Sequence, residues 1–540
     1  MANAGSIFCN DTLLRVVQNS NLFEDSKTFV DLRLRTTPDE TLKAFADLNK
    51  NGREPTTDEV HTFVRTYFEG PGTELIQHTP EDWNPNPYIV GKVVNPDMKI
   101  WMADLNAKWK DLSRKIHKDV HDHPERHSLI PLPHPFVIPG GRFRELYYWD
   151  SYWVINGLLL CDMFPTVKGM LSNLLYMVQR FGHVPNGTRV YYITRSQPPF
   201  LIPMVDAYVR RTSDLTFLKD NIHLLEKEYN FWEDNRTIEV IKNGEVYKMA
   251  RYNVDQPFPR PESYREDVKT TAGLSQERKR EIFSNLASAC ESGMDFSARW
   301  LPNSIADKNT NILKGIKTNR IIPVELNALL YWNAVLLSNM YAMLGLTDQK
   351  EMFRRKAELR QRAIDAFFWN KSRGIWLDYD IDLQTSRDFF FASNIIPLFV
   401  GCYGNESDMN SKVEVEEKVI KYLKDEKVLD YPGGMPSSKI ESGEQWDFPN
   451  AWPPLQQMII EGLSNTKSSR GQYLARELAG QWVKVNWKIW KENGNMYEKY
   501  DVTMGEAGSG GEYDVQTGFG WSNGVVMMLL DKYPDLLLEG

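Results

Sequence analysis

No stretch of the chain stays apolar for the roughly eighteen residues that a membrane-spanning helix requires. The most apolar segment, Trp153 to Phe164, is interrupted by Asn156, Gly157 and Asp162. Basic residues form no stripe, and a net charge of −8 leaves no electrostatic footprint for nucleic acid. Cysteine is scarce. Cys9, Cys161, Cys290 and Cys402 are far apart, without a CxxC pair or a nearby histidine partner, so no zinc site is implied. Four cysteines allow three pairings, among which spacing does not choose. A chain of this size needs no disulfide to hold its core, and buried free thiols are the expectation. The start, MANAGSIFCND, lacks the basic n-region and apolar h-region of a signal peptide. No Gly/Ser-rich linker divides the chain, and no segment matches a nucleotide loop, a Ser-His-Asp elbow or HExxH.

Helical periodicity is abundant. Trp153–Met163 and Thr166–Phe181 form one candidate pair, broken at Pro165 and ended by Gly182. Glu325–Leu344 carries Leu326, Leu329, Leu330, Asn333, Leu337, Met340 and Tyr341 at helical spacing, and Asp348–Trp369 follows after Gly345. Further pairs are expected at Ser411–Asp425 with Trp452–Leu463, and at Arg470–Asn493 with Ser522–Leu529. Strand signals are few, at Ile238–Val246 and Trp376–Tyr379. By itself the periodicity predicts a mostly α chain of antiparallel helix pairs. Short turns alternate with long loops rich in Gly, Pro and Trp, which places the function on one rim. Residues 1–120 read as a helical extension, clearest at Asp31–Phe68, packed on a catalytic body of residues 121–540. Sequons stand at Asn10, Asn186, Asn235, Asn370 and Asn405. They favour a secreted glycoprotein whose signal peptide is absent from this sequence.

Two segments stand apart from this background. Pro139 to Trp153 reads PGGRFRELYYWDSYW, and Gln445 to Pro454 reads QWDFPNAWPP. Gly and Pro force turns, but no turn requires Trp, Tyr, Arg and Asp. Flat aromatic faces beside side chains that bond hydroxyls make a carbohydrate site. Acetal hydrolysis needs a proton donor and an opposed carboxylate. ESGMDFSARW, from Glu291 to Trp300, offers Asp295 between Met294 and Phe296, although an Asp just after Gly is also an ordinary helix cap or Asx turn. MYEKYD, from Met496 to Asp501, precedes the Gly-rich run VTMGEAGSGGEYDVQTGFGWSNGV. Glu498 alone would pass for a solvated surface residue. A flap directly after it, ending in Glu512 and Tyr513, can exclude bulk water while admitting one water. Arg142, Arg195 in HVPNGTRVYYITRSQPP and Arg260 in RPESY lie among Pro, Gly and aromatic residues, where guanidinium forks can hold hydroxyls.

These segments, in this order over roughly Pro131 to Val526, resemble the trehalases of glycoside hydrolase family 37, animal and especially insect ones among them. The resemblance implies an (α/α)6 barrel with catalytic loops on one rim, and hydrolysis of α,α-trehalose to two glucoses by inversion. It implies Asp295 as general acid and Glu498 as general base. Sugar-binding positions would be Arg142, Trp149, Asp150, Asn186, Arg195, Ser196, Gln197, Arg260, Glu262, Gly293 and Glu512, with Trp446 as a stacking face and Trp452 in the core. A glycan at Asn186 would block the pocket, so that sequon is expected to stay bare. The implied partner is trehalose alone, with no metal or cofactor and no membrane anchor. The expected state is a monomer, with a dimer as the alternative. Rival readings are another inverting α-glucosidase, a disaccharide phosphorylase on the same fold, or a silent sugar-binding protein. The phosphorylase would carry an anion site in place of Glu498, and a silent binder would need neither carboxyl.

Overall fold

The computed structural model describes residues 4–48, 53–302, 311–404 and 409–536. Helices dominate, and the strands are short, in sheets of two or three. Among the described residues, six helices follow one another in a ring: Asp150–Leu160, Leu201–Thr212, Val324–Met343, Ile396–Val400, Pro453–Ser464 and Gly520–Lys532. Each packs against the next, and the last packs back against the first. Between them in sequence run the outer helices Phe164–Phe181, Leu215–Asn235, Thr347–Phe367, Met409–Asp425 and Ser469–Asn493, with Pro96–Leu112 before the ring begins. This inner–outer alternation is the (α/α)6 barrel that the resemblance implies.

Composition separates the two layers. Thr347–Phe367 buries Phe353, Ala357, Arg360, Ala363, Ile364 and Phe367, one stripe with a charged remainder, as an outer helix should. Val324–Met343 is buried nearly all round, including Val324, Glu325, Leu326, Asn327, Ala328, Leu329 and Leu330. A helix enclosed on every side has no solvent face to pattern. The ring closes on two glycines. A Cβ on Gly524 would sit 2.1 Å from the Trp153 carbonyl oxygen, and one on Gly157 would sit 3.0 Å from the Gly524 Cα. No other residue lets those two helices approach so closely.

Several expectations need correction. Pro453–Ser464 packs on Ser469–Asn493 rather than on Met409–Asp425. Gly520–Lys532 finds its main neighbour in Asp150–Leu160, at the far end of the sequence. Ile238–Val246 is no single strand: Thr237–Lys242 and Glu245–Ala250 form a hairpin turned at Asn243 and Gly244, both with positive φ. Trp376–Tyr379 splits likewise, Ile375–Trp376 pairing with Trp369–Asn370 and Tyr379–Asp380 with two other strands. The cysteines are free, three buried and Cys9 half-buried. The Asn405 sequon lies outside the described residues. Among the described residues, no helix is long and apolar enough to cross a membrane.

Among the described residues, two apolar cores coexist. The large one fills the barrel and includes Met98, Trp101, Leu105 and Trp109 of Pro96–Leu112. The smaller one gathers Ile7, Phe8, Leu13, Leu14, Val17, Phe29, Val30, Phe63 and Phe68 of the N-terminal segment against Tyr147, Tyr191, Tyr192 and Tyr264. Those four tyrosines come from the segments that connect the barrel's helices. Asp31–Phe68 resolves into the helices Pro38–Leu48 and Thr57–Tyr67, with Arg33–Leu34 paired to Phe68–Glu69. Thr56 and Glu59 form a reciprocal capping box at the second helix.

Candidate active site

The loops that enter the inner helices supply the site. Trp149 stands at the N-terminus of Asp150–Leu160, and Phe519 directly before Gly520–Lys532. Gln197 shortly precedes Leu201–Thr212, and Trp446 and Trp452 precede Pro453–Ser464. The loops converge on a pocket enclosing about 880 Å³ of space, its open mouth included.

Aromatic rings build the floor. Trp446 stacks on Trp452 at 3.9 Å and 3°, while Trp149 meets Trp153 and Trp521 edge-on and Trp446 at a tilt. Gly293 fits beneath this cluster. Its φ is +72°, and a Cβ would lie 2.7 Å from the Trp149 ring. The turn and the ring therefore both demand glycine. Trp452, expected in the core, is buried and yet reaches the pocket wall, with its Nε1 donating to the Gln445 carbonyl.

Asp295 follows that glycine and is half-buried. Two bonds tie its loop to the second signature segment. Gln445 Nε2 donates to the Asp295 carbonyl (2.5 Å), and the Trp446 N–H donates to the Phe296 carbonyl (3.0 Å). Asp447 completes the junction by accepting from Ser297 Oγ, the Ala298 N–H, Ser438 Oγ and Ser442 Oγ. Burial pushes the Asp295 carboxyl up to about 7; the charge of Arg260 opposes the rise and that of Glu512 adds to it. The Cys290 thiol donates weakly to its Oδ2 at 3.8 Å. Burial also drives Asp150 up to about 8, with the charges of Glu498 and Asp295 adding.

Glu498 is 2% exposed. Its Oε1 accepts from the Tyr513 hydroxyl (2.8 Å), its N–H donates to the Gln516 carbonyl, and its own carbonyl accepts from Trp521 Nε1. Burial raises its pKa, while the Lys499 charge and the Tyr513 bond hold the rise in check. The two carboxyls thus occupy different settings. Burial raises both, but only Glu498 has a lysine beside it and a hydroxyl bonded to it, and both of these favour its ionised form.

The Gly-rich run lies folded over the pocket. Lys499, fully buried, donates to Gln445 Oε1 and to the Gly510 carbonyl, both at 2.8 Å. Asn450 bonds the Ser509 carbonyl and N–H. Arg260 Nη2 and Ser263 Oγ hold the Glu512 carboxylate at the tip. Gly140 and Gly141 of the first signature let the far end of the run approach: a Cβ on Gly141 would collide with Gln516 Oε1, which accepts from the Arg142 N–H instead.

Polar walls complete the pocket. Arg195 pairs with Glu262, and Arg260 is bidentate on Asp267. Arg195 Nε and Nη1, Arg142 Nε, Glu262 Oε2 and Glu498 Oε2 are buried without a protein partner. Buried polar atoms are normally bonded. These five atoms, three donors and two acceptors, suit the hydroxyls of a sugar and a water.

Thirteen of the fourteen residues expected from sequence line this one pocket. Ser196 does not: its hydroxyl donates to the Val184 carbonyl, and its N–H donates to Glu291, which Arg236 grips from behind. Sequence reasoning missed Tyr192, Gln445, Cys290 and Trp521 in the wall, all inside or beside the motifs it used. It also missed Asp25, Ser26 and Lys27, which lie in the N-terminal extension and carry no local signal of a site.

A family model described as Trehalase matches residues 21–534. The chain is 45% identical over 534 residues to a trehalase of Apis mellifera, covering 98% of this chain and 84% of that one. Against the trehalase of Homo sapiens the identity is 43% over 536 residues, covering 99% and 90%. Among solved structures, the neutral trehalase of Saccharomyces cerevisiae superposes with a TM-score of 0.59 at 24% identity, covering 74% of this chain and 73% of that one, a likeness of fold.

Proposed function

Because the chain belongs to the trehalase family, we propose that it hydrolyses α,α-trehalose to two glucose molecules with inversion, Asp295 serving as general acid and Glu498 as general base. The observation that carries this reading is the contrast between the two carboxyls of one pocket. The acid must hold a proton until the glycosidic oxygen takes it, and burial beside Phe296 supports that. The base must be ionised, and Tyr513 fixes one of its oxygens while the other is free to accept from a water. Glu498 Oε2 takes a proton from that water as its oxygen bonds the anomeric carbon. The glycosidic C–O bond breaks, and Asp295 gives its proton to the departing oxygen. Water is the only co-reactant.

The remaining pocket residues orient the rings. Arg142, Arg195, Glu262, Asn186, Gln197 and Asp150 supply the hydroxyl partners, and Trp149 and Trp446 supply flat faces. Arg260, already engaged by Asp267, serves chiefly to seat Glu512. Ser196 contributes through the backbone of its loop.

Stereochemistry tests the mechanism. Both anomeric carbons of trehalose are α. The attacked ring should emerge as β-glucose and the other, its bond untouched, as α-glucose. Proton NMR in the first moments of reaction, before mutarotation, should show equal amounts of the two. A burst of α-glucose alone would mean retention and would make Glu498 a nucleophile. Secretion with glycosylation belongs to the same proposal. Asn235 is exposed, whereas Asn186 is 4% exposed with its Nδ2 facing the Ser196 and Cys290 carbonyls, which supports a bare pocket sequon. Mass spectrometry of glycopeptides from chain secreted by animal cells would find sugar at Asn235 and none at Asn186.

A further inference from the structure

The N-terminal extension reaches into the pocket at one place, the short helix Ser26–Val30 and the Asp25 that caps it. Asp25 splits its carboxylate between two tasks. Its Oδ1 accepts from the N–H and hydroxyl of Thr28, both at 2.8 Å, and so caps the N-terminus of the helix. Its Oδ2 lies 3.3 Å from Arg142 Nη2. The Arg142 guanidinium in turn lies over the Tyr513 ring, 4.8 Å from its centroid, and the Tyr513 hydroxyl donates to Glu498 Oε1. An unbroken chain of contacts therefore runs from the extension to the catalytic base.

Hydrogen bonds and ion pairs tie down the surroundings of Asp25. Ser26 Oγ donates to Glu266 and accepts from the Arg265 N–H, while the Arg265 guanidinium bonds Asn21 Oδ1 and the Glu24 carbonyl. Lys27 is buried between Asp31 and Glu145, and Glu145 belongs to the first signature segment. The extension is fastened on both sides of the point at which Asp25 touches Arg142. The pair is partly exposed, at 24% for Arg142 and 41% for Asp25, so its charge energy contributes little; what it can supply is direction, because Asp25 faces a planar group that lies over an aromatic ring.

We propose that Asp25 is a positioning residue: it sets the Arg142 guanidinium on Tyr513, and through Tyr513 it sets the Glu498 carboxylate for attack. This rests on the assignment of Glu498 as general base. The extension is then part of the reaction apparatus, and the barrel alone would hold a less ordered base.

Capping and charge can be separated, because Asn and Ser cap helices about as well as Asp and bring no charge. Asp25→Asn should fold with an unchanged melting temperature, and its kcat for trehalose should fall about tenfold with a smaller change in KM, in keeping with loss of orientation rather than of binding. Asp25→Ser should behave alike and stands in if the first variant fails to fold. The decisive measurement is a double-mutant cycle with Tyr513→Phe. If Asp25 acts through Tyr513, the double variant should lose clearly less than the product of the two single losses. Wild-type kcat in both Asp25 variants, or strictly multiplicative losses in the cycle, would overturn the proposal. A wild-type enzyme unable to cleave trehalose would instead overturn the functional reading on which it rests.

Discussion

In the proposed reaction, Asp295 and Glu498 divide the chemistry through their surroundings. Burial holds the Asp295 pKa near 7, so activity should fall as pH rises through the neutral range and the acid loses its proton. Burial also raises Glu498, so the acidic limb should lie above the ordinary glutamate range of about 4.3. A narrow bell in kcat/KM against pH is the expected profile, and a flat alkaline limb to pH 9 would remove Asp295 from its role. The same shift acts on stability. A carboxyl whose folded pKa is raised favours folding fully below its unfolded pKa, and that contribution is lost as pH climbs through the folded value near 7. Asparagine carries no such charge. Asp295→Asn should therefore melt at an equal or higher temperature above pH 7, while its kcat falls by at least about 10²–10³. Glu498→Gln should lose as much. Near-wild-type turnover in either variant would refute the assignment.

The Gly-rich flap closes the site in the proposed reaction, and Lys499 anchors it. The buried ammonium joins the Gly510 carbonyl of the flap to Gln445, and Gln445 holds the Asp295 carbonyl. Burial lowers the Lys499 pKa to about 8, so the charge is sustained by those bonds and by the neighbouring Glu498 rather than by solvent. Lys499→Met keeps the volume and removes both bonds. It should lower kcat by about tenfold or more through loosening of flap and acid together, with little loss in melting temperature because a buried charge is removed as well. Hydrogen exchange across residues 505–512 should quicken in parallel. Unchanged exchange beside a reduced kcat would show that Lys499 acts by charge alone.

Over the whole molecule, the extension and the barrel meet through a core of tyrosines and a buried charge network. Arg189 contacts Glu74, Glu145 and Asp31, and Lys27 contacts Asp31 and Glu145. Glu145 and Arg189 belong to the barrel, the other three to the extension. Arg189→Met would leave three buried carboxylates facing one cation. Breaking such a buried network costs about 3–5 kcal/mol, so the melting temperature should fall by several degrees. Limited proteolysis should begin within the first 70 or so residues, because the fastening there is the weaker of the two cores. Cleavage spread evenly through the barrel would contradict the two-core reading.

The sequence determined whatever is encoded within a dozen or so residues. Gly140, Gly141 and Gly293 announced tight turns, and the structure puts backbone or ring atoms where their side chains would be. Phe164–Phe181 ends at Gly182, as expected, on a left-handed cap. The aromatic and arginine content of the loops marked out a pocket, and most of the named residues line it because they come from compact motifs. Helix existence was legible from spacing, whereas helix partnership was not. Gly520–Lys532 closes the ring against Asp150–Leu160 across more than 350 residues, a contact made possible by the bare surfaces of Gly157 and Gly524. Ser196 turned away from the pocket because a buried glutamate claimed its N–H. Asp25 entered the pocket because its helix is pinned by Arg265 and Lys27 to loops far along the chain. Periodicity and turn chemistry are local free energies, written in neighbouring side chains. Ring closure and the placement of the extension are set by contacts between distant segments, and only the folded chain brings these together.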